Sequence, residues 1–128
     1  MDSAVYVIDG ANFSTLEGFF EEVRCILVPA LEWSIRTLDG FDDILWGGFG
    51  TPDDSFTLVW QNAALSKERL GYQETVRQLE ERVANCHPSN QADFRAKLEL
   101  AKQHRGPTVF DWLITIIEEH DHIILRLD

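Results

Sequence analysis

The chain of 128 residues is long enough to bury a sizeable hydrophobic core, and its composition is typical of a soluble globular protein. Its formal net charge of −11 argues against nucleic acid and anionic membranes as partners, because both repel a carboxylate-rich surface. Residues 1–56 hold 11 acidic and 2 basic side chains, whereas residues 57–128 hold 11 acidic and 9 basic ones. The acidic field therefore belongs to the N-terminal half.

The cysteines and the N-terminus favour a protein that stays in the cytoplasm. Cys25 and Cys86 cannot form a disulfide framework in a chain this long, so we expect reduced packing residues. Residues 1–4 contain no basic segment leading into an apolar run, so no secretory signal is predicted. No stretch approaches the roughly 20 apolar residues of a membrane span.

The first elements are a strand and a helix. Residues 4–8 form a near-continuous apolar run, which predicts a strand buried on both faces, as in parallel sheets. Apolar residues at helical spacing then predict a helix over residues 15–27, with Ser14 and Thr15 at its N-terminus. A loop from Pro29 to Thr37, which carries Trp33, follows.

The next element, Leu38–Trp46, is an amphipathic helix with an unusual polar side. An apolar stripe of Leu38, Phe41, Ile44 and Leu45 lies opposite an acidic face, defined here as Asp39, Asp42, Asp43 and Trp46. No lysine or arginine lies within one turn C-terminal of these aspartates, so the segment offers them no i,i+4 ion pair. Unpaired negative charge beside a tryptophan is more than packing requires.

Three interpretations of the acidic face stay open. The first is structural, with Asp39 as the N-cap and Asp42 as the third-position acid, although this leaves Asp43 and Trp46 unexplained. The second is a protein-binding face. The third, an enzyme or metal site, is less favoured, because adjacent exposed turns of one helix rarely hold carboxylates in the divergent environments of acid–base catalysis. The sequence contains no calcium-loop motif and no local catalytic signature such as G-x-S-x-G, so we expect no metal, no cofactor and no catalytic activity.

The rest of the chain completes an alternating pattern. Gly47–Pro52 predicts a break rather than a phosphate cradle, because it lacks the GKS/T motif. A strand over 56–60 and a helix over 63–70 come next, then an arm of two helices over 72–84 and 92–104 joined by a turn at 87–90, and finally a helix over 109–119 and a strand over 122–127. Strands separated by helices predict an α/β fold with a small parallel sheet packed with helices.

The histidines give a weak signal. His120 and His122 straddle the predicted end of the last helix, where cations are favoured. Their spacing is not a zinc signature, and the sequence places no third ligand beside them.

Several of these segments resemble the barstar family, the intracellular protein inhibitors of secreted ribonucleases. The most specific match is residues 38–45, Leu-Asp-Gly-Phe-Asp-Asp-Ile-Leu, which look like the Asn-Leu-Asp-Ala-Leu-x-Asp-x-Leu segment of that family. Residues 6–10, the helix with Phe19 and Phe20, residues 56–60 and the final helix–strand pair complete the resemblance. It implies one domain over residues 1–128, with a three-stranded parallel sheet packed with helices and a helical insertion at about 72–107.

The resemblance also implies a site and a partner. In that family the second helix and the preceding loop plug the active site of a basic ribonuclease, so Asp43 is expected to enter the phosphate site with Asp39 beside it. The other partner-binding residues implied are Trp33 in the loop, Thr37 where the family commonly has Asn, Asp42, Trp46, Gly47 and, on the last helix, Glu118. Two alternatives remain: a non-inhibitory protein-binding module of the same fold, or an immunity protein against a toxin of another class.

Overall fold

The computed structural model describes residues 4–47 and 55–128 and confirms the α/β class with a three-stranded parallel sheet. The described residues form strands β1 (Ala4–Asp9), β2 (Phe56–Gln61) and β3 (Ile123–Leu127), and helices α1 (Leu16–Leu27), α2 (Leu38–Trp46), α3 (Ala63–Arg69), α4 (Tyr72–Asn85), α5 (Gln91–Lys102) and α6 (Val109–Glu118). All lie within two residues of the predicted bounds. Most of the predicted break at Gly47–Pro52 lies outside the described residues.

The sheet has the order β1-β2-β3, and β2 pairs in parallel with both neighbours. Leu58 and Trp60 of β2 are fully buried and lie on one face of the sheet. This face packs against the apolar sides of α1, α2 and α6 to form the core. The indole Nε1 of Trp60 donates a hydrogen bond to Ser66 Oγ at 2.9 Å, so this large buried side chain leaves no unpaired polar group.

The prediction that β1 is buried on both faces is wrong. Val5 is 60% exposed, and Val7 and Ile124 are also exposed. The register aligns Val5 with Thr57 and Ile124, so these side chains share the second face of the sheet. β1 is an edge strand, and the described helices leave this second face of the sheet open. The apolar run of β1 therefore resembles that of a buried central strand, but every second side chain is exposed.

The α4–α5 arm is fastened to the rest of the fold by buried polar contacts. Glu74 Oε2 accepts a hydrogen bond from the backbone N–H of Leu16 at 2.8 Å, which satisfies a donor at the N-terminus of α1. Thr75 Oγ1 accepts one from the N–H of Val109 at 2.8 Å, at the N-terminus of α6. Helix α4 thus connects the first turns of two core helices, while α5 packs mainly on α4.

The cysteines and the apolar content of the helices were also predicted from the sequence. Cys25 is exposed on α1, so it does not pack as predicted, whereas Cys86 is half-buried after α4, and both thiols are free. Within the described ranges, no helix is both long and apolar enough to cross a membrane.

Candidate partner-binding surface

Helix α2 is capped by Thr37 and not, as one interpretation predicted, by Asp39. Thr37 has extended backbone angles (φ −134°, ψ 158°), and its hydroxyl accepts a hydrogen bond from the N–H of Gly40 at 2.9 Å. Asp39 is therefore the second helical residue, and Asp42 lies beyond the first turn. Neither carboxylate caps the helix, so capping does not account for the acidic face.

The apolar stripe of α2 anchors the helix in the core as predicted. Phe41, Ile44 and Leu45 are completely buried, and the rings of Phe41 and Phe19 meet edge to face with centroids 5.3 Å apart. Gly47 ends the helix with φ of 105°, a conformation that favours glycine, and its N–H donates to the carbonyl of Ile44. The helix is thus fixed at both ends and along its buried side, which holds the acidic face in one orientation.

Asp39, Asp43 and Trp46 project from the opposite side. Asp39 and Asp43 are exposed and make no hydrogen bond or ion pair with the described residues. Trp46 is 69% exposed, an unusual position for the largest apolar side chain. Two carboxylates and an indole are therefore available to a partner without any internal ion pair having to break.

Asp42 differs from its neighbours on the acidic face. Its side chain is 36% exposed, and Oδ1 lies 2.7 Å from Nε2 of His120. His120 follows the end of α6 and is 1% exposed, with its backbone held by Ile117 and Ile123. Of the three carboxylates on the acidic face, Asp42 alone has a hydrogen-bond partner within the described ranges.

His120 is the residue of this surface that the sequence did not reveal. Its ring also meets that of Trp46 edge to face, with centroids 4.7 Å apart, and that of His122 at 5.8 Å. The sequence placed His120 at a helix end, but no periodicity or motif connects it to Asp42, which lies 78 residues earlier. Only the packing of α6 against α2 brings them together.

The loop before α2 carries the remaining predicted residues of the N-terminal half. Trp33 is exposed, while Ile35, two residues later, is buried and fixes the loop to the core. Arg24 of α1 donates a hydrogen bond to the carbonyl of Leu31 at 3.4 Å. Trp33 thus lies on a loop anchored on both sides, before Thr37 and the acidic face in the chain.

Glu118, the residue proposed for the last helix, is the final residue of α6 and is exposed. It makes no hydrogen bond or ion pair with the described residues. His120, two residues later, is the residue after α6 that contacts the acidic face. A role for Glu118 in partner binding stays a prediction.

A groove separates the start of α2 from the arm. It encloses about 440 Å³ and is lined by Arg36, Thr37 and Asp39 on one side and by residues of α4 and α5 on the other. The Arg82 guanidinium lies over the ring of Phe94, 5.8 Å from its centroid. Asp39 therefore shares a groove with two arginines, whereas Asp43 does not line it.

The described residues contain no group of three or more His, Cys, Asp or Glu side chains that could hold a metal ion.

Comparisons with protein-family models, with curated proteins and with solved structures find no match to this chain. Function must therefore be argued from the surface itself.

Proposed function

We propose that this protein is a barstar-like inhibitor that binds a basic ribonuclease and blocks its active site with the acidic face of α2 and the preceding loop. The observation that carries the proposal is the pair of exposed carboxylates, Asp39 and Asp43, on a helix fixed in the core and without side-chain partners among the described residues. Thr37 caps the helix, so capping gives no reason for these charges, and only Asp39 lies in the first turn, where the helix dipole favours an acid.

The chemistry of the face suits a phosphate-binding cleft. A ribonuclease holds the RNA backbone with cationic side chains, and carboxylates on a rigid helix can accept the same charge-assisted hydrogen bonds. Asp43 is the better candidate for the deepest contact, because it lies outside the groove that Asp39 shares with Arg36, Arg82 and Glu81.

The aromatic residues and the overall charge support the same proposal. Interfaces enrich tryptophan, and Trp46 lies one turn after Asp42 and Asp43 on the same face, with Trp33 exposed on the loop. The net charge of −11 attracts a basic protein over long range and accelerates encounter at low salt.

The test is an RNA-cleavage assay with a panel of small, basic, secreted bacterial ribonucleases and increasing amounts of this protein. We expect stoichiometric inhibition of at least one nuclease, weakened by high salt because exposed charges are screened. A complex that forms without loss of cleavage would favour the non-inhibitory module. If no nuclease binds or is inhibited even at low salt, the proposal is wrong, and a toxin of another class becomes the better candidate.

A further inference from the structure

We propose that His120 is a positioning residue that holds Asp42 and Trp46 in their places on the acidic face and makes partner binding depend on its protonation. The effect on binding rests on the proposed function, but the coupling of His120 to Trp46 does not. Three contacts carry the inference: Nε2 of His120 lies 2.7 Å from Asp42 Oδ1, the Trp46 ring packs on the imidazole, and the histidine is almost fully buried.

The hydrogen bonds of the ring define the tautomer of its neutral form. Nδ1 of His120 is buried and has no hydrogen-bond partner among the described residues. A neutral imidazole with its proton on Nε2 donates to Asp42 and leaves Nδ1 as a bare acceptor. In a cationic imidazolium the second N–H, at Nδ1, is a buried donor without an acceptor among the described residues, whereas the Asp42 carboxylate attracts the positive charge. The tautomer is inferred from this hydrogen-bonding pattern.

Few other titratable groups face the ring. From α2 the facing groups are Asp42 and the uncharged Trp46, and from the segment entering β3 the facing group is His122, whose ring centroid is 5.8 Å away. The neighbours along the chain, Glu119 and Asp121, are exposed to solvent, which screens their charges. Asp42 is therefore the charged group nearest to the His120 ring.

The direction of the proton effect follows from the charge of the pair. With His120 neutral, the Asp42–His120 pair carries the full negative charge of the carboxylate. Protonation of His120 makes the pair neutral and also places a positive charge in contact with the Trp46 ring. A basic partner prefers the negatively charged state, so binding should release a proton, and acidification should weaken binding.

The first measurement uses the free protein and needs no partner. In an NMR pH titration we expect the indole signals of Trp46 to shift with the same midpoint as the ring protons of His120. His120→Gln, whose amide N–H can replace the Nε2–H donor, should abolish the Trp46 shift, and His122→Gln should keep it. If Trp46 does not follow His120, or follows His122 instead, the inference is wrong.

The second measurement uses a ribonuclease that the wild-type protein binds. When the pH is lowered from about 8 to about 5.5, we expect the affinity of the wild-type protein to fall at least about fivefold more than the affinity of His120→Gln. Titration of groups on the nuclease affects both proteins alike, so it cancels in this comparison. Asp42→Asn, a change at a partly exposed site, is a second variant: it removes the carboxylate that favours the protonated imidazole, so the extra loss of affinity should begin at a lower pH than in the wild type. Equal pH profiles for all three proteins would overturn the effect on binding, whereas a lack of binding at every pH would overturn only the proposed function.

Discussion

The carboxylate of Glu74 accepts a hydrogen bond from the backbone N–H of Leu16 at 2.8 Å, although the two residues are 58 positions apart. Glu74 is almost fully buried, and Arg77 and Gln78 donate to the same carboxylate. A side chain of the arm thus satisfies the first turn of a core helix, so the arm is part of the folded unit and not an appendage.

Replacing Glu74 should therefore destabilise the whole fold. Glu74→Ala removes the acceptor for the Leu16 N–H and leaves Arg77 paired only with the exposed Glu17 and Glu81. We expect a loss of about 2 kcal/mol in the free energy of unfolding, measured by urea denaturation. The loss should appear in one cooperative transition that includes the tryptophan signal of the core.

Glu81 provides the matched control. It is exposed and also pairs with Arg77, at 3.6 Å. Because exposed ion pairs contribute little, Glu81→Ala should change the free energy of unfolding by less than about 0.5 kcal/mol. If Glu74→Ala is as mild as Glu81→Ala, or melts only the arm, then the arm does not stabilise α1.

The secondary structure was predictable because each helix shows its own apolar periodicity and end signals. The thorough burial expected for β1 was wrong, because Val5 and Val7 look the same in sequence whether their face is covered or open. Nothing local could reveal that Glu74 satisfies Leu16, since the bond exists only after α4 packs against α1.

Acid should destabilise the protein partly through Asp9. The side chain of Asn62 donates to Asp9 Oδ1 at 2.8 Å, and the N–H of Ala11 donates to it at 2.9 Å, which together hold the pKa of this carboxyl below its ordinary value of 3.8. Because the folded-state pKa is lower than the unfolded one, the ionised carboxylate stabilises the fold above the unfolded pKa. This contribution is lost as the pH falls through the folded pKa.

Asn62→Gly tests this dependence without straining the backbone, since residue 62 has φ of 55°, which glycine adopts freely. We expect the pKa of Asp9, followed by NMR of its carboxyl carbon, to rise toward its ordinary value. The decline in unfolding free energy below about pH 4 should become shallower than in the wild type. An unchanged Asp9 titration would show that Asn62 does not set its pKa.

Trp46 should contribute to binding far more than to stability. The side chain is mostly exposed, so Trp46→Ala should cost less than about 1 kcal/mol in unfolding free energy. If it anchors the interface, the dissociation constant of a nuclease complex should rise about 30-fold, or about 2 kcal/mol. Leu100→Ala on α5 removes another exposed apolar side chain away from the acidic face and should leave affinity unchanged.

The candidate surface was predictable in part. The helical period alone placed Asp39, Asp43 and Trp46 on the exposed side of α2, and the structure agrees. The sequence could not decide between Thr37 and Asp39 as the cap, because both residue types cap helices and they are only two positions apart. It also could not show that Asp42 is engaged by His120, a contact made by tertiary packing alone.

The central claim rests on the carboxylate of Asp43. Asp43→Asn removes one negative charge at the middle of the acidic face and keeps the size of the side chain. Glu80→Gln on α4 removes the same charge from an exposed residue that lines a different groove, beside Ser14 and Thr15. Both variants reduce the net negative charge by one, so a difference between them that persists at high salt reports direct contact by Asp43.

The decisive measurement is the dissociation constant of wild-type protein, Asp43→Asn and Glu80→Gln for an inhibited ribonuclease, over a series of salt concentrations. We predict that Asp43→Asn weakens binding at least about 30-fold, that this loss persists at high salt, and that Glu80→Gln stays within about threefold of wild type. Equal affinities for Asp43→Asn and Glu80→Gln throughout the series would contradict the proposal that the acidic face occupies the nuclease active site.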